Sequence, residues 1–88
     1  SQQPTFDKMT GFLDYEGFLQ DIDELSAKAL EACEELSVAM VDIDHFMKVN
    51  QEYGHEIGDR VIMSIAKHLS KSTPDTFRLY RYAGDQFA

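Results

Sequence analysis

The chain has 88 residues and a formal net charge of −8, from eight Lys and Arg against sixteen Asp and Glu. That length fits one domain at most, and a chain so short buries only a modest share of its surface. A phosphate-backbone reader needs a basic face; the scattered cations provide none, so no nucleic-acid partner is expected.

The single Cys33 cannot form an internal disulfide and points to a reducing compartment. With no Cys pairs and dispersed histidines, a structural zinc site is not expected. No apolar run is long enough to span a bilayer, and the polar start carries no signal-peptide pattern. A cytoplasmic location follows as an expectation, either free or as the cytoplasmic part of a membrane-anchored sensor, without membrane contact by this segment. The first residue is Ser rather than Met, so the chain reads as a piece of something longer.

In chain order, residues 1–6 read as a leader and 7–88 as one folded unit. Asp7-Lys8-Met9-Thr10-Gly11-Phe12-Leu13 is a turn with apolar anchors, where Gly11 supplies a backbone angle other residues avoid. Asp14 is a helix N-cap, and Leu13 and Phe18 are spaced for a hydrophobic staple. Phe18, Ile22, Leu25, Ala29 and Ala32 recur at helical spacing, which predicts one amphipathic helix over 15–33. Leu36 to Val41 reads as a buried central strand that Asp42 ends. Residues 44–53 form a short helix, with Asp44 placed to cap it and Gly54 as its stop. Gly58-Asp59 opens another helix with a buried stripe of Ile62, Ile65, Ala66 and Leu69, and Pro74 lies past its end. Thr76 to Tyr82 alternates and is rich in aromatics, as a strand should be. Ala83-Gly84 is the tip of a hairpin, and Asp85-Gln86-Phe87 starts the return. The order helix, strand, helix pair, strand, turn fits the opening half of an α+β ferredoxin-like sandwich.

Two stretches carry chemistry: Val41-Asp42-Ile43-Asp44-His45-Phe46 and Arg81-Tyr82-Ala83-Gly84-Asp85-Gln86-Phe87. Each puts a carboxylate at the exposed end of a strand-like run, and Asp42 and Asp85 brought together could hold a divalent metal against phosphates. Taken singly, Asp42 reads as a strand-end carboxylate, Asn50 as a helix-surface residue and Asp59 as a helix N-terminal acid. Taken together they are more specific. Asp42-Ile43-Asp44-His45-Phe46, then Val49-Asn50, Tyr53-Gly54-His55 and Gly58-Asp59, followed by Ala83-Gly84-Asp85-Gln86-Phe87, resemble the GGDEF domains of bacterial diguanylate cyclases. The resemblance runs from Asp7 to Ala88. Any one piece alone is weak; the spacing of all of them is not.

The resemblance implies a palm-like fold of the nucleotide cyclase type. This chain would be its N-terminal portion, truncated after the signature hairpin and completed by the rest of a larger domain or by another copy. It also implies that Asp42, the carbonyl of Ile43 and Asp85 bind Mg²⁺ or Mn²⁺. The backbone N–H groups of His45 and Phe46 would face phosphates at a helix start. Asn50 and Asp59 would bind the guanine base, an amide and a carboxylate suiting its donors and acceptors. Asp85 and Gln86 stand at the catalytic positions. The implied partners are GTP or another guanine nucleotide and a second copy of the parent protein in a homodimer.

The departures from the family pattern carry equal weight. Met47 stands where the family has Lys, and Lys48 next door points about 100° away on a helix. Asp14-Tyr15 replaces Asn-Arg, and Ala83 replaces the first signature Gly. Gln86 replaces the signature Glu, keeping its size and losing its charge. If that Glu acts only in proton transfer, the loss costs about a hundred- to ten-thousand-fold in rate. Pro74-Asp75-Thr76-Phe77 occupies the place of the family's Arg-x-x-Asp product-inhibition motif, so that site is expected to be absent. These readings rank a degenerate domain that binds guanine nucleotide as a regulatory module first. An active cyclase that condenses two GTP into cyclic di-GMP and pyrophosphate comes second. A ligand-free dimerisation scaffold comes third.

Overall fold

Asp14 starts the first helix as its sequence position predicts. In the computed structural model, which describes residues 5–88, its carboxylate accepts the Gly17 N–H at 3.0 Å. Helix α1 then runs Tyr15–Ala32 and ends at Cys33, a left-handed residue with φ 55°. Residues 1–4 of the expected leader lie outside the described residues. Its last two residues, Thr5 and Phe6, pair back along the chain: Asp14 N–H donates to the Thr5 carbonyl at 3.1 Å, and Phe6 bridges Leu13.

The chain continues through strand β1 (Val41–Asp42), helix α2 (Phe46–Tyr53), helix α3 (His55–Ser72), strand β2 (Arg81–Ala83) and strand β3 (Gln86–Phe87). The three strands form one antiparallel sheet in the order β1-β3-β2. Helices beside a small antiparallel sheet make this an α+β fold, as the element order predicts. Ile62 and Ala66 of α3 and Phe87 of β3 are its fully buried centre. Phe12 packs edge-on against Phe87 with ring centroids 5.8 Å apart. Phe18 of α1 meets Tyr80 and Tyr82 in the same T-shaped way, each at 5.3 Å.

Five expectations need correction. The stretch from Leu36 to Val41 is not a buried strand. Only Val41–Asp42 pairs, and Val38 and Met40 are 48 % and 49 % exposed. The reason is geometric: β1 has a sheet neighbour on one side only, β3. The apolar side chains before it line an open groove of about 540 Å³ against Ile22 and Leu25 of α1 and Leu69 of α3. Helix α2 starts at Phe46 rather than Asp44, because His45 takes a left-handed φ of 58° that a helix cannot include. Asp44 does not cap it; the N-cap is His45, without a side-chain hydrogen bond. Helix α3 starts at His55, before Gly58, and Gly54 (φ 88°) is at once the C-cap of α2 and the N-cap of α3. Finally, β2 is shorter than 76–82, although Tyr80 exchanges backbone hydrogen bonds with Ala88, both at 3.0 Å.

The N-terminal turn closes on Asp7. Its N–H donates to the Phe12 carbonyl at 2.7 Å, and its carbonyl accepts the Gly11 N–H at 2.8 Å. Its carboxylate accepts the Thr10 hydroxyl at 2.7 Å and the Thr10 N–H at 3.0 Å. Arg81 completes the set at 3.1 Å. Partial burial alone would raise this carboxyl. The Thr10 donors and the Arg81 guanidinium outweigh it and hold the group below its ordinary 3.8. A depressed folded value means the stabilisation is present above the unfolded value and is lost as pH falls through the folded one. The stability advantage of the native domain over Asp7→Asn, read by urea unfolding, should therefore shrink as pH drops below about 4. In the core, Ile62→Ala should cost about 2–5 kcal/mol in the same assay. A loss well under that range would mean the Ile62 site collapses around the smaller side chain.

Candidate functional site

The pairing of β1 with β3 sets the site. Asp42 lies directly opposite Gln86 in the register, and directly opposed residues in an antiparallel pair share a face. The Gln86 amide Nε2 donates to Asp42 Oδ2 at 3.4 Å. Asp85, in the turn between β2 and β3, joins Ile43 through the backbone: Ile43 N–H donates to the Asp85 carbonyl at 3.0 Å. Asp42, Ile43, Asp85 and Gln86 thus converge at one end of the β1–β3 pair.

The residues brought together there carry, as candidate oxygens for a cation, the Asp42 and Asp85 carboxylates and the Ile43 carbonyl, with Asp85 joined to Ile43 through its backbone. Mg²⁺ is satisfied with one or two carboxylates when phosphates and water complete its shell, so the donor set fits such an ion beside a nucleotide. Among the described residues no cluster of three His, Cys, Asp or Glu side chains is placed to hold a metal.

A Glu at position 86 would put two carboxylates face to face across the β1–β3 pair. Like charges directly opposite are destabilising in a sheet, and a cation between them relieves this. Gln86 removes that repulsion, because its amide is neutral and donates to Asp42.

The phosphate-facing expectation falls on the start of α2. His45 precedes that helix with no side-chain cap, which leaves first-turn N–H groups without a side-chain acceptor. Phe46 points its ring into the core margin. Met47 is 73 % exposed. Lys48 reaches Glu52, 3.9 Å away along the same exposed helix face, as its angular position predicts.

The guanine-facing expectation falls on the crossing of α2 and α3. Asn50 Oδ1 is buried there without a hydrogen-bond partner. A Cβ on Gly58 would lie 1.8 Å from that oxygen, so Gly58 is bare because the Asn50 side chain fills its space. Asp59 follows directly and is exposed. Asn50 and Asp59 are thereby brought to one crossing, separate from the Asp42–Gln86 pair.

Residues 4–88 match the family described as "Diguanylate cyclase, GGDEF domain". This chain belongs to the GGDEF domain family. GGDEF domains are parts of cyclic di-GMP signalling proteins. The chain is 39 % identical over 83 residues to diguanylate cyclase VdcA of Vibrio cholerae, covering 94 % of this chain and 23 % of that protein. It is 32 % identical over 83 residues to the uncharacterized membrane protein SERP0413 of Staphylococcus epidermidis, with the same coverage of 94 % and 23 %. The GGDEF domain of DgcB from Caulobacter crescentus, solved in complex with c-di-GMP, superimposes with a TM-score of 0.90 at 30 % identity, over 99 % of this chain and 51 % of that one. The GGDEF domain of PA1120 from Pseudomonas aeruginosa gives 0.86 at 28 % identity, over 94 % and 48 %. The GGDEF chain thus spans about a quarter of the length of these curated relatives and about half of these solved chains.

Two features of the site escaped the sequence reading. The locking of Asn50 against Gly58 had a signal, a glycine inside a helix-forming run. The side-chain bonds of Arg81 had one too, a cation flanked by Tyr80 and Tyr82 in a strand. Two measurements check the geometry. Gly58→Ala should cost about 1–3 kcal/mol by overpacking, and much less in an Asn50→Ala background, because the clash partner is gone. Gln86→Glu should lower the metal-free thermal stability by about 0.2–1 kcal/mol, and Mg²⁺ should restore it. If Mg²⁺ does not, no cation sits between residues 42 and 86.

Proposed function

We propose that this GGDEF chain is part of a regulatory domain in a cyclic di-GMP signalling protein. In this reading the domain binds GTP or another guanine nucleotide and has weakened cyclase activity. The Gln86–Asp42 hydrogen bond is the observation that carries it. It leaves an amide where the family has an acid, and an amide cannot accept the proton that a carboxylate can. The guanine side keeps both of its family residues, Asn50 and Asp59.

The roles follow from position. Asn50 and Asp59 select the base through paired donors and acceptors. The N–H groups of His45 and Phe46 receive phosphate oxygens at the start of α2, where the helix dipole favours negative charge. Asp42, the Ile43 carbonyl and Asp85 would hold Mg²⁺ or Mn²⁺. Such an ion, when bound, neutralises phosphate charge and polarises the phosphoryl group. Met47, uncharged and exposed, adds nothing to phosphate binding.

The parent protein works as a homodimer in this reading, with one nucleotide on each subunit. Among the described residues no helix is long and apolar enough to cross a membrane. The similarity to SERP0413 supports placing this segment in the cytoplasmic part of an anchored protein. One observation favours a second reading, an active diguanylate cyclase: Asp42 and Asp85 are both kept, and the chain is 39 % identical to a protein named diguanylate cyclase.

Calorimetric titration of the full-length protein with GTP and ATP, with and without Mg²⁺, tests the proposal. GTP should bind in preference to ATP. Asn50→Ala or Asp59→Ala should each weaken GTP binding about tenfold or more. Equal affinity for ATP would contradict guanine selection by Asn50 and Asp59, and no binding of either nucleotide would leave only the scaffold reading.

A further inference from the structure

Arg81 ties together parts of the molecule that are far apart in sequence. Its backbone N–H donates to the Leu13 carbonyl at 2.7 Å. Its Nη1 grips both oxygens of Asp7, at 3.1 and 3.2 Å, and lies 3.7 Å from the Met9 sulfur. Its Nη2 donates to the Gly84 carbonyl at 2.9 Å. The Arg81 and Asp7 side chains are only 17 % and 21 % exposed, so water competes little for the Arg81–Asp7 pair, while the bond to the Gly84 carbonyl lies at the exposed surface.

The Gly84 carbonyl belongs to the peptide unit that enters Asp85. A trans peptide is planar, and its N–H points opposite to its C=O; no cis bond is present among the described residues. By holding the Gly84 oxygen, Arg81 aims the Asp85 N–H away from itself and fixes that plane. The next plane, Asp85–Gln86, is held from the other side by the Ile43 N–H on the Asp85 carbonyl at 3.0 Å. With both flanking planes fixed, the two soft backbone angles of Asp85 are fixed, and with them the direction of its Cα–Cβ bond.

We infer that Arg81 is the positioning residue for the Asp85 carboxylate, and that Asp7 holds Arg81 in place, so that the N-terminal turn and the signature hairpin move as one body. A displacement of the turn reaches Asp85 through a single planar guanidinium. Lysine cannot do this, because an ammonium lacks the planar fork that grips a carboxylate and a carbonyl in fixed directions. The consequence for metal binding rests on the proposed role of Asp85; the positioning itself does not.

The test uses the full-length protein with Arg81→Lys and Asp7→Asn. Arg78→Lys is the control, since Arg78 pairs with Asp21 at 3.2 Å. Amide hydrogen exchange reads the positioning. The Ile43 N–H should exchange about tenfold faster in both variants while the α3 amides stay as protected as before. Mn²⁺ titration with GTP present, read by electron paramagnetic resonance, should show an affinity loss of about 10–100-fold. GTP binding without metal should be unchanged. Unaltered Ile43 exchange in both variants, or the same acceleration in Arg78→Lys, overturns the inference. If the native protein binds no Mn²⁺ with GTP, the nucleotide reading fails, and the exchange result still decides the role of Arg81.

Discussion

The two-residue strand β3 is the constraint on which the rest of the chain depends. It sits between β1 and β2, so it joins the segment after α1 to the segment after α3. Phe87 faces Ile62 and Ala66 in the core, and Gln86 faces Asp42 at the site. Successive strand residues point to opposite faces, so packing and chemistry are set by one register. A one-residue slip would exchange them. The buried side of the strand therefore supports the exposed side: Phe87 in its socket keeps Gln86 opposite Asp42.

The charge at the site is divided unevenly. In the proposed reading, Gln86 stands for an acid on the metal side and Met47 for a cation on the phosphate side, while Asn50 and Asp59 remain for the base at the α2–α3 crossing. Gly58 there leaves room for the Asn50 side chain. His45 holds a left-handed backbone angle that costs a non-glycine residue about 1–2 kcal/mol. Strain of this kind concentrates at functional sites, and it sits here at the start of the helix assigned to phosphate. Away from the site, Tyr80 donates to Asp21 at 2.8 Å. Burial and then the Asp21 carboxylate push the tyrosine up to about 12, so it stays a neutral donor tying α1 to the strand region.

Much of this was legible in the sequence where a period or a cap gave it away. Asp14, the α1 stripe and the α3 stripe follow from local rules, and the structure places them as read. The stretch Leu36 to Val41 differs from the expected buried strand because an apolar run records that it can be buried, not whether anything lies beside it. β1 has a neighbour on one side only, and Leu36, Val38 and Val41 line a groove. His45 gave no signal, since its backbone angle is imposed by the turn between β1 and α2. Gly58 reads from the sequence as a helix start, but it lies inside α3, where the close Asn50 side chain leaves no room for a Cβ. The roles proposed for Asp42, Asn50 and Asp59 rest only on their joint spacing. No single one of them stands out by type or neighbours.

The most direct test of the account is product formation. Full-length protein should be incubated with GTP and Mg²⁺ and assayed for cyclic di-GMP by chromatography, with Gln86→Glu in parallel. The account expects the glutamate variant to make product at least about a hundredfold faster than the native protein, the lower bound for restoring a proton-transfer group. Native turnover equal to that of the variant would contradict it, and would make Gln86 a tolerated residue in a working cyclase.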